Sequence, residues 1–260
     1  MKIPIYQVDA FAERIFLGNP AAVCPLDAWI PDALMQQIAL ENNLSETAFF
    51  VMHEEPARIR WFTPTVEVDL CGHATLASAH VISKHLGYKG HEIRFDSRSG
   101  PISVKVNEDD YTLDFPLDEL QQMPASHPVT SFFSLRPEAV FRGKSDYLLV
   151  FPNESDILEI RVAYEQLGQF DGRGVIVTSP SPSVDFVSRG FYPQSGVDED
   201  PATGSAQTTL AAYWNARTGK DHFETRQLSS RGGTFSLRKK DNRVFITGRA
   251  HTYMSGICTI

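Results

Sequence analysis

Five residues recur in the same order, each 129 positions further along the chain. Arg60, Phe62, Pro64, Val68 and Asp69 reappear as Arg189, Phe191, Pro193, Val197 and Asp198. The first set runs into Cys71-Gly72-His73-Ala74-Thr75 and an apolar helical stretch. The second runs into Asp200-Pro201-Ala202-Thr203-Gly204-Ser205-Ala206 and another such stretch. Each half therefore spells a strand, a turn and a helix N-terminus. A period this long describes a duplicated domain, because solenoid repeats are shorter. A chain of 260 residues suits one large domain or two of about 130. The repeat selects two similar halves, residues 1–116 and 117–260.

Composition narrows the partners. The net charge of −8 argues against a nucleic-acid backbone. Cys24, Cys71 and Cys258 are odd in number and widely spaced. They form neither a disulfide framework nor a metal-ligand pattern, which fits a reducing, cytoplasmic setting. Met1-Lys2-Ile3-Pro4 lacks a signal-peptide core, and no apolar run reaches the ~18 residues of a membrane helix.

Periodicity sets out the elements. Strands are predicted over Ile3 to Phe11 and Ala21 to Leu26, divided by the turn Gly18-Asn19-Pro20. A helix opens at Pro31-Asp32 and ends near Asn42-Asn43. Ala48 to Val51 and Ile59 to Phe62 read as strands, with Glu46 at or just before the start of the first. A helix from Cys71 to Gly87 is crowded with Ala74, Ala77, Ser78 and Ala79, as a helix packed against sheet on most sides would be. Short strands at 93–95, 102–106 and 111–115 follow, and the proline-marked stretch 116–128 reads as a linker. In the second half, strands are predicted at 147–151, 174–178, 184–191, 234–237, 244–247 and 255–260. Helices are predicted at 162–170 and 205–217.

Several residues could carry chemistry. A helix N-terminus presents unbonded N–H groups and about half a positive charge, so the two repeated corners are ready anion sites. Capping by Asp200, Thr203 and Ser205 is the plainer alternative. His73, in the first turn of its helix, is disfavoured as a cation there and should stay neutral, able to donate and accept a proton. Of the other histidines, His53, His80, His85, His91, His127 and His222 lie in surface-like contexts, and His251 is a second candidate. Glu46 is an ordinary strand start unless it faces His73; as an acid/base it needs its pKa lifted toward ~6–7. Cys71 reads either as a thiol acid/base or as a small buried hydrophobe.

Taken together, these motifs resemble the PhzF family of phenazine-biosynthesis-like isomerases. The likeness is carried by Val8-Asp9-Ala10-Phe11, by Gly18-Asn19-Pro20-Ala21-Ala22-Val23 and by Asn43-Leu44-Ser45-Glu46-Thr47-Ala48-Phe49. The stretch Arg60 to Thr75 and the run Glu199 to Ala206 complete it. The resemblance implies an α+β, diaminopimelate-epimerase-like fold. Each half is a mixed sheet or barrel curled around a central helix, and the active site lies in the cleft between the halves. It leaves open whether the last strand, about 255–260, crosses back to the first half.

It also implies a cofactor-independent, metal-free isomerase moving a proton at carbon in a small cyclic amino-acid-like carboxylate. Glu46 matches the family's acid/base, His73 and Asp200 assist proton movement, and Gly72, Gly204 and Ser205 bind substrate. A homodimer is consistent with the family. Two-cysteine racemases of this fold carry a second thiol where this chain has Pro201. That weakens, without removing, an epimerase reading based on Cys71. A non-catalytic carboxylate-binding protein is the third reading.

Overall fold

The computed structural model describes residues 1–52 and 56–260, so His53 lies outside the described residues. The chain packs into two compact units, residues 1–114 with 247–260, and residues 115–246. The division falls within a strand, two residues before the boundary at 116 expected from the sequence.

The first unit contains β1 (Lys2–Ala10), β2 (Asn19–Leu26), α1 (Asp32–Asn42), β3 (Glu46–Val51), β4 (Ala57–Phe62), β5 (Glu67–Val68), α2 (Gly72–His85), β6 (Glu92–Ser97), β7 (Gly100–Asn107) and β8 (Asp110–Pro116). β1 and β2 are antiparallel, β2 and β3 parallel, β3 and β4 antiparallel, and β4 and β6 parallel. β6, β7 and β8 follow as an antiparallel meander. The chain's last strand pairs with both β1 and β8, which closes this set of eight into a barrel.

α2 fills that barrel. Every residue from Gly72 to Ile82 is buried, and the helix packs against β1, β2, β3 and β7. A helix enclosed on all sides has no polar face, which is why its small residues recur without amphipathic spacing. α1 covers the outside, where Met35, Ile38 and Ala39 pack with Phe49 and Phe62. Its first turn begins after Pro31, and Asn43 ends it in the left-handed conformation, φ 49°.

The second unit repeats the pattern. It holds β9 (Gln121–Met123), β10 (Ala139–Arg142), β11 (Asp146–Val150), α3 (Glu154–Glu159), α4 (Tyr164–Leu167), β12 (Gly174–Pro180), β13 (Phe186–Tyr192), β14 (Val197–Asp200), α5 (Ala206–Thr218), β15 (His222–Gln227) and β16 (Gly233–Lys240). β11 and β12 are parallel across α3 and α4, as β2 and β3 are across α1. β12 and β13 are antiparallel, and β13 and β15 are parallel across α5. This matches the order of β3, β4 and β6 around α2. α5 packs against β11 and β16. The repeated arginines do the same work in each unit. Arg60 grips Glu67 of β5 at 2.7 and 2.8 Å, and Arg189 grips Glu199 of β14 at 2.7 and 2.9 Å.

Several elements differ from expectation. The stretch read as a linker contains β9, paired with β10. The helix expected at 162–170 is the short α4, preceded by α3, whose Asn153 and Asp156 form a capping box. The strands expected at 244–247 and 255–260 are one strand, β17 (Arg243–Thr259). Its later part lies antiparallel to β1, from Ala10↔Ala250 to Lys2↔Thr259, with a bulge at Gln7/Val8. The strand that starts in the second unit thus ends in the first. Among the described residues, no helix is long and apolar enough to cross a membrane.

Candidate active site

Glu46 is the first residue of β3, and everything after it in that strand is buried. The parallel pairing Ala21↔Glu46 holds it beside the start of β2. His73 is the second residue of α2. The two side chains meet, with His73 Nε2 3.1 Å from Glu46 Oε2. Both atoms are buried, and neither has an aligned hydrogen-bond partner among the described residues. The other ring nitrogen, Nδ1, lies 3.5 Å from Cys71 Sγ and 3.3 Å from Asn19 Nδ2. Asn19 Oδ1 in turn accepts a 3.2 Å hydrogen bond from Ser45 Oγ.

Asn19 therefore ties the His73 ring to the residue before Glu46. The sequence placed it in a turn. It is instead the fully buried first residue of β2, and the turn is made before it by Gly18 at φ +67°.

The electrostatics of this cluster follow from its burial. The Cys71 thiol is pushed up by burial and by the Glu46 carboxylate, against the pull of the His73 ring. It remains protonated at neutral pH. Burial, the largest single influence on His73, favours the neutral ring, but its interactions with Cys71 and with the Glu46 carboxylate outweigh it and raise the pKa well above 6.5. The neutral ring expected from the helix N-terminus is thus corrected: a full charge at 3.1 Å outweighs the terminus's roughly half charge. Among the described residues, no side-chain cap hydrogen bond is made at the Cys71 N-cap of α2.

The second expected set lies in the other unit. Asp200 ends β14, Gly204 is buried, and Ser205 precedes α5 without a capping side-chain bond. The Thr203 hydroxyl is engaged otherwise: it donates to Asp200 Oδ2 and accepts from Gln227 Nε2. The corner is clamped by Gln227, the last residue of β15. Gln227 Oε1 accepts from Thr203 N at 2.8 Å. Its Nε2 donates to Asp200 O at 2.6 Å and to Thr203 Oγ1 at 3.1 Å. That chain of donors aims the Thr203 proton at Asp200. No sequence motif announced Gln227, which contacts the corner from 24 positions away.

Two histidines fall elsewhere. His80, expected at the surface, is 7 % exposed because α2 is enclosed. It lies 3.1 Å from Tyr111 Oη and 2.9 Å from Thr252 Oγ1. Burial lowers its pKa to about 4. His251 stands opposite Asp9 on β17 and is an electrostatic neighbour of His80.

The family model for phenazine biosynthesis-like proteins matches residues 8–256. An uncharacterized isomerase of Pseudomonas aeruginosa is 46% identical over 98% of both chains. The crystal structure of a PhzF-family phenazine biosynthesis protein from Enterococcus faecalis superposes with a TM-score of 0.96 at 42% identity, covering 100% of each chain. A hydroxyproline epimerase of Agrobacterium vitis shares the fold alone, with a TM-score of 0.64 at 12% identity over 98% of this chain and 92% of its own. The two-unit α+β architecture is that of the diaminopimelate-epimerase-like fold. The chain belongs to the phenazine biosynthesis-like PhzC–PhzF family and is an isomerase of that family.

Proposed function

We propose that Glu46 is the acid/base of a one-base isomerisation that moves a proton between two carbons of a small, cyclic amino-acid-like carboxylate. The supporting observation is the buried approach of Glu46 Oε2 and His73 Nε2 to 3.1 Å with no aligned partner for either. Glu46, ionised, takes a proton from one substrate carbon and becomes the acid. The electron pair left behind shifts through the adjacent unsaturation, and Glu46 returns the proton to a second carbon on the same face. His73 polarises the substrate or exchanges a proton with Glu46. The uncapped backbone at Gly72-His73 and Gly204-Ser205 holds the carboxylate, and Asp200 polarises substrate. No cofactor or metal is required. The three free cysteines suit a reducing cytoplasm.

A second reading has its own support. Cys71 Sγ lies 3.5 Å from His73 Nδ1, so a thiol acid/base in an epimerase is the alternative. Paired variants separate the two. On the one-base reading, Glu46→Gln loses about 10²–10⁴-fold in turnover while Cys71→Ala loses only a few-fold. Collapse of Cys71→Ala with Glu46→Gln active would replace the isomerase by the epimerase. Substrate binding without turnover in the wild-type protein would leave a binding protein instead.

A further inference from the structure

Three donor atoms of different chemistry meet in the first unit. A sulfur of Cys71, a ring nitrogen of His73 and a carboxylate oxygen of Glu46 all lie within 4.8 Å of one another. His73 is 6 % exposed, and its Nε2, like Glu46 Oε2, is buried without an aligned partner. Two buried polar atoms left in this way point to a guest that supplies what they lack. A proton-transfer substrate is one such guest. The mixed donor set suits another.

We propose that Cys71, His73 and Glu46 form a reversible binding site for a borderline-soft divalent transition ion, zinc above all, and that the ion inhibits the enzyme. It is a competitor of the reaction and not its cofactor. Tetrahedral zinc holds sulfur at about 2.3 Å and nitrogen or oxygen at about 2.0–2.2 Å, which sets neighbouring donors roughly 3.3–3.7 Å apart. The separations of 3.1 Å between His73 and Glu46 and 3.5 Å between Cys71 and His73 are close to this spacing. They run to opposite ring nitrogens, so the ion takes one of them. Nε2 is the open one, because Nδ1 faces the Asn19 amide.

An amide there can turn its oxygen to an Nδ1–H, the outer partner that metal-bound histidines use. Rotation of the Cys71 side chain then completes three ligands, and the fourth position is left for water. Thiolate and imidazole select zinc, cobalt or cadmium over magnesium and calcium. On binding, the thiol S–H bond and the Nε2–H bond of the protonated His73 ring break, both protons leave to solvent, and sulfur and nitrogen keep their electron pairs for the metal, with no change of oxidation state. The ion occupies the carboxylate oxygen that would otherwise accept the substrate proton. The inhibitory effect rests on the function proposed for Glu46; the binding does not.

The test is a cobalt titration of the chelator-treated protein without oxygen. The expected result is a thiolate-to-cobalt charge-transfer band in the near ultraviolet that saturates at one equivalent and is bleached by zinc. Cys71→Ser should lose that band. Glu46→Gln should keep it with about tenfold weaker binding. Cys258→Ser, which alters the half-buried thiol elsewhere, should match wild type. A folded wild-type protein with no band, or a band that survives in Cys71→Ser, overturns the site. If the band behaves as expected but zinc leaves turnover untouched, the metal site stands and the acid/base role of Glu46 falls.

Discussion

The two units share a plan, and their helix-leading corners differ in what they do with it. In the first, titratable groups are crowded together: Cys71 and Glu46 lie on either side of the His73 ring, at 3.5 and 3.1 Å. In the second, one carboxylate is held still, Asp200 by Thr203 and both by Gln227. Asn19 plays the clamping part in the first unit that Gln227 plays in the second. A corner whose protons can be redistributed suits chemistry, and a corner whose donors are fixed suits binding. The duplicated fold thus supplies a helix N-terminus in each unit, led by extended backbone at Cys71 and by helical backbone at Ser205, and the side chains around each divide the labour.

The sharpest way to break this comparison is to swap acid for amide in each corner. Glu46→Gln should lower turnover about 10²–10⁴-fold, the usual worth of a positioned acid/base. Asp200→Asn, which can still accept from Thr203, should raise KM and lower turnover by roughly tenfold or less. Steady-state kinetics on the identified substrate decides, and equal losses would erase the proposed division.

Acid should also discriminate between the units, because the buried part of α5 contains no histidine and α2 buries His80. The folded pKa of His80, about 4, lies below its ordinary 6.5. The unfolded chain therefore takes up the proton first. Stability is full above about pH 6.5 and falls as the pH drops toward about 4, by about 3 kcal/mol for this one group. Denaturant unfolding across that range should show the loss, and His80→Gln should reduce it.

The paired arginines give a smaller contrast. Arg189 also donates to the Ile157 and Ile160 carbonyls at the end of α3, at 2.9 and 3.3 Å. Glu67, by contrast, keeps Arg98 as a second partner at 2.8 Å. Arg189→Ala should therefore cost about 3 kcal/mol and Arg60→Ala about 1–2 kcal/mol in unfolding free energy. Thr203→Val is the mildest change. It keeps the shape but leaves Gln227 Nε2 short of one acceptor, for about 1–2 kcal/mol, read by thermal melting.

The sequence was most legible where residues act locally. The 129-residue offset gave the duplication, and the start of β3 and the first turn of α2 put Glu46 and His73 at element ends. It was least legible where burial or a distant partner decides. Asn19 looked like turn chemistry, yet it begins a strand with its side chain fully buried. β15 has only Phe223 as an apolar marker, since its other inward residues are Thr225 and Gln227. His80 sits on a helix whose complete enclosure depends on strands up to β17. Cys71 was open between packing and acid/base chemistry; its burial fits the first and its contact with His73 fits the second. α3 was the avoidable omission, because its Asn153…Asp156 capping box is written in the sequence.

The most direct measurement is solvent deuterium exchange followed by NMR. Wild-type protein and Glu46→Gln would be incubated in heavy water with cyclic amino-acid-like carboxylates, until one shows binding to both proteins. The account predicts deuterium at a carbon of that ligand with wild type and none with Glu46→Gln. Undiminished exchange in Glu46→Gln, or a ligand that binds wild type and never exchanges, would contradict it.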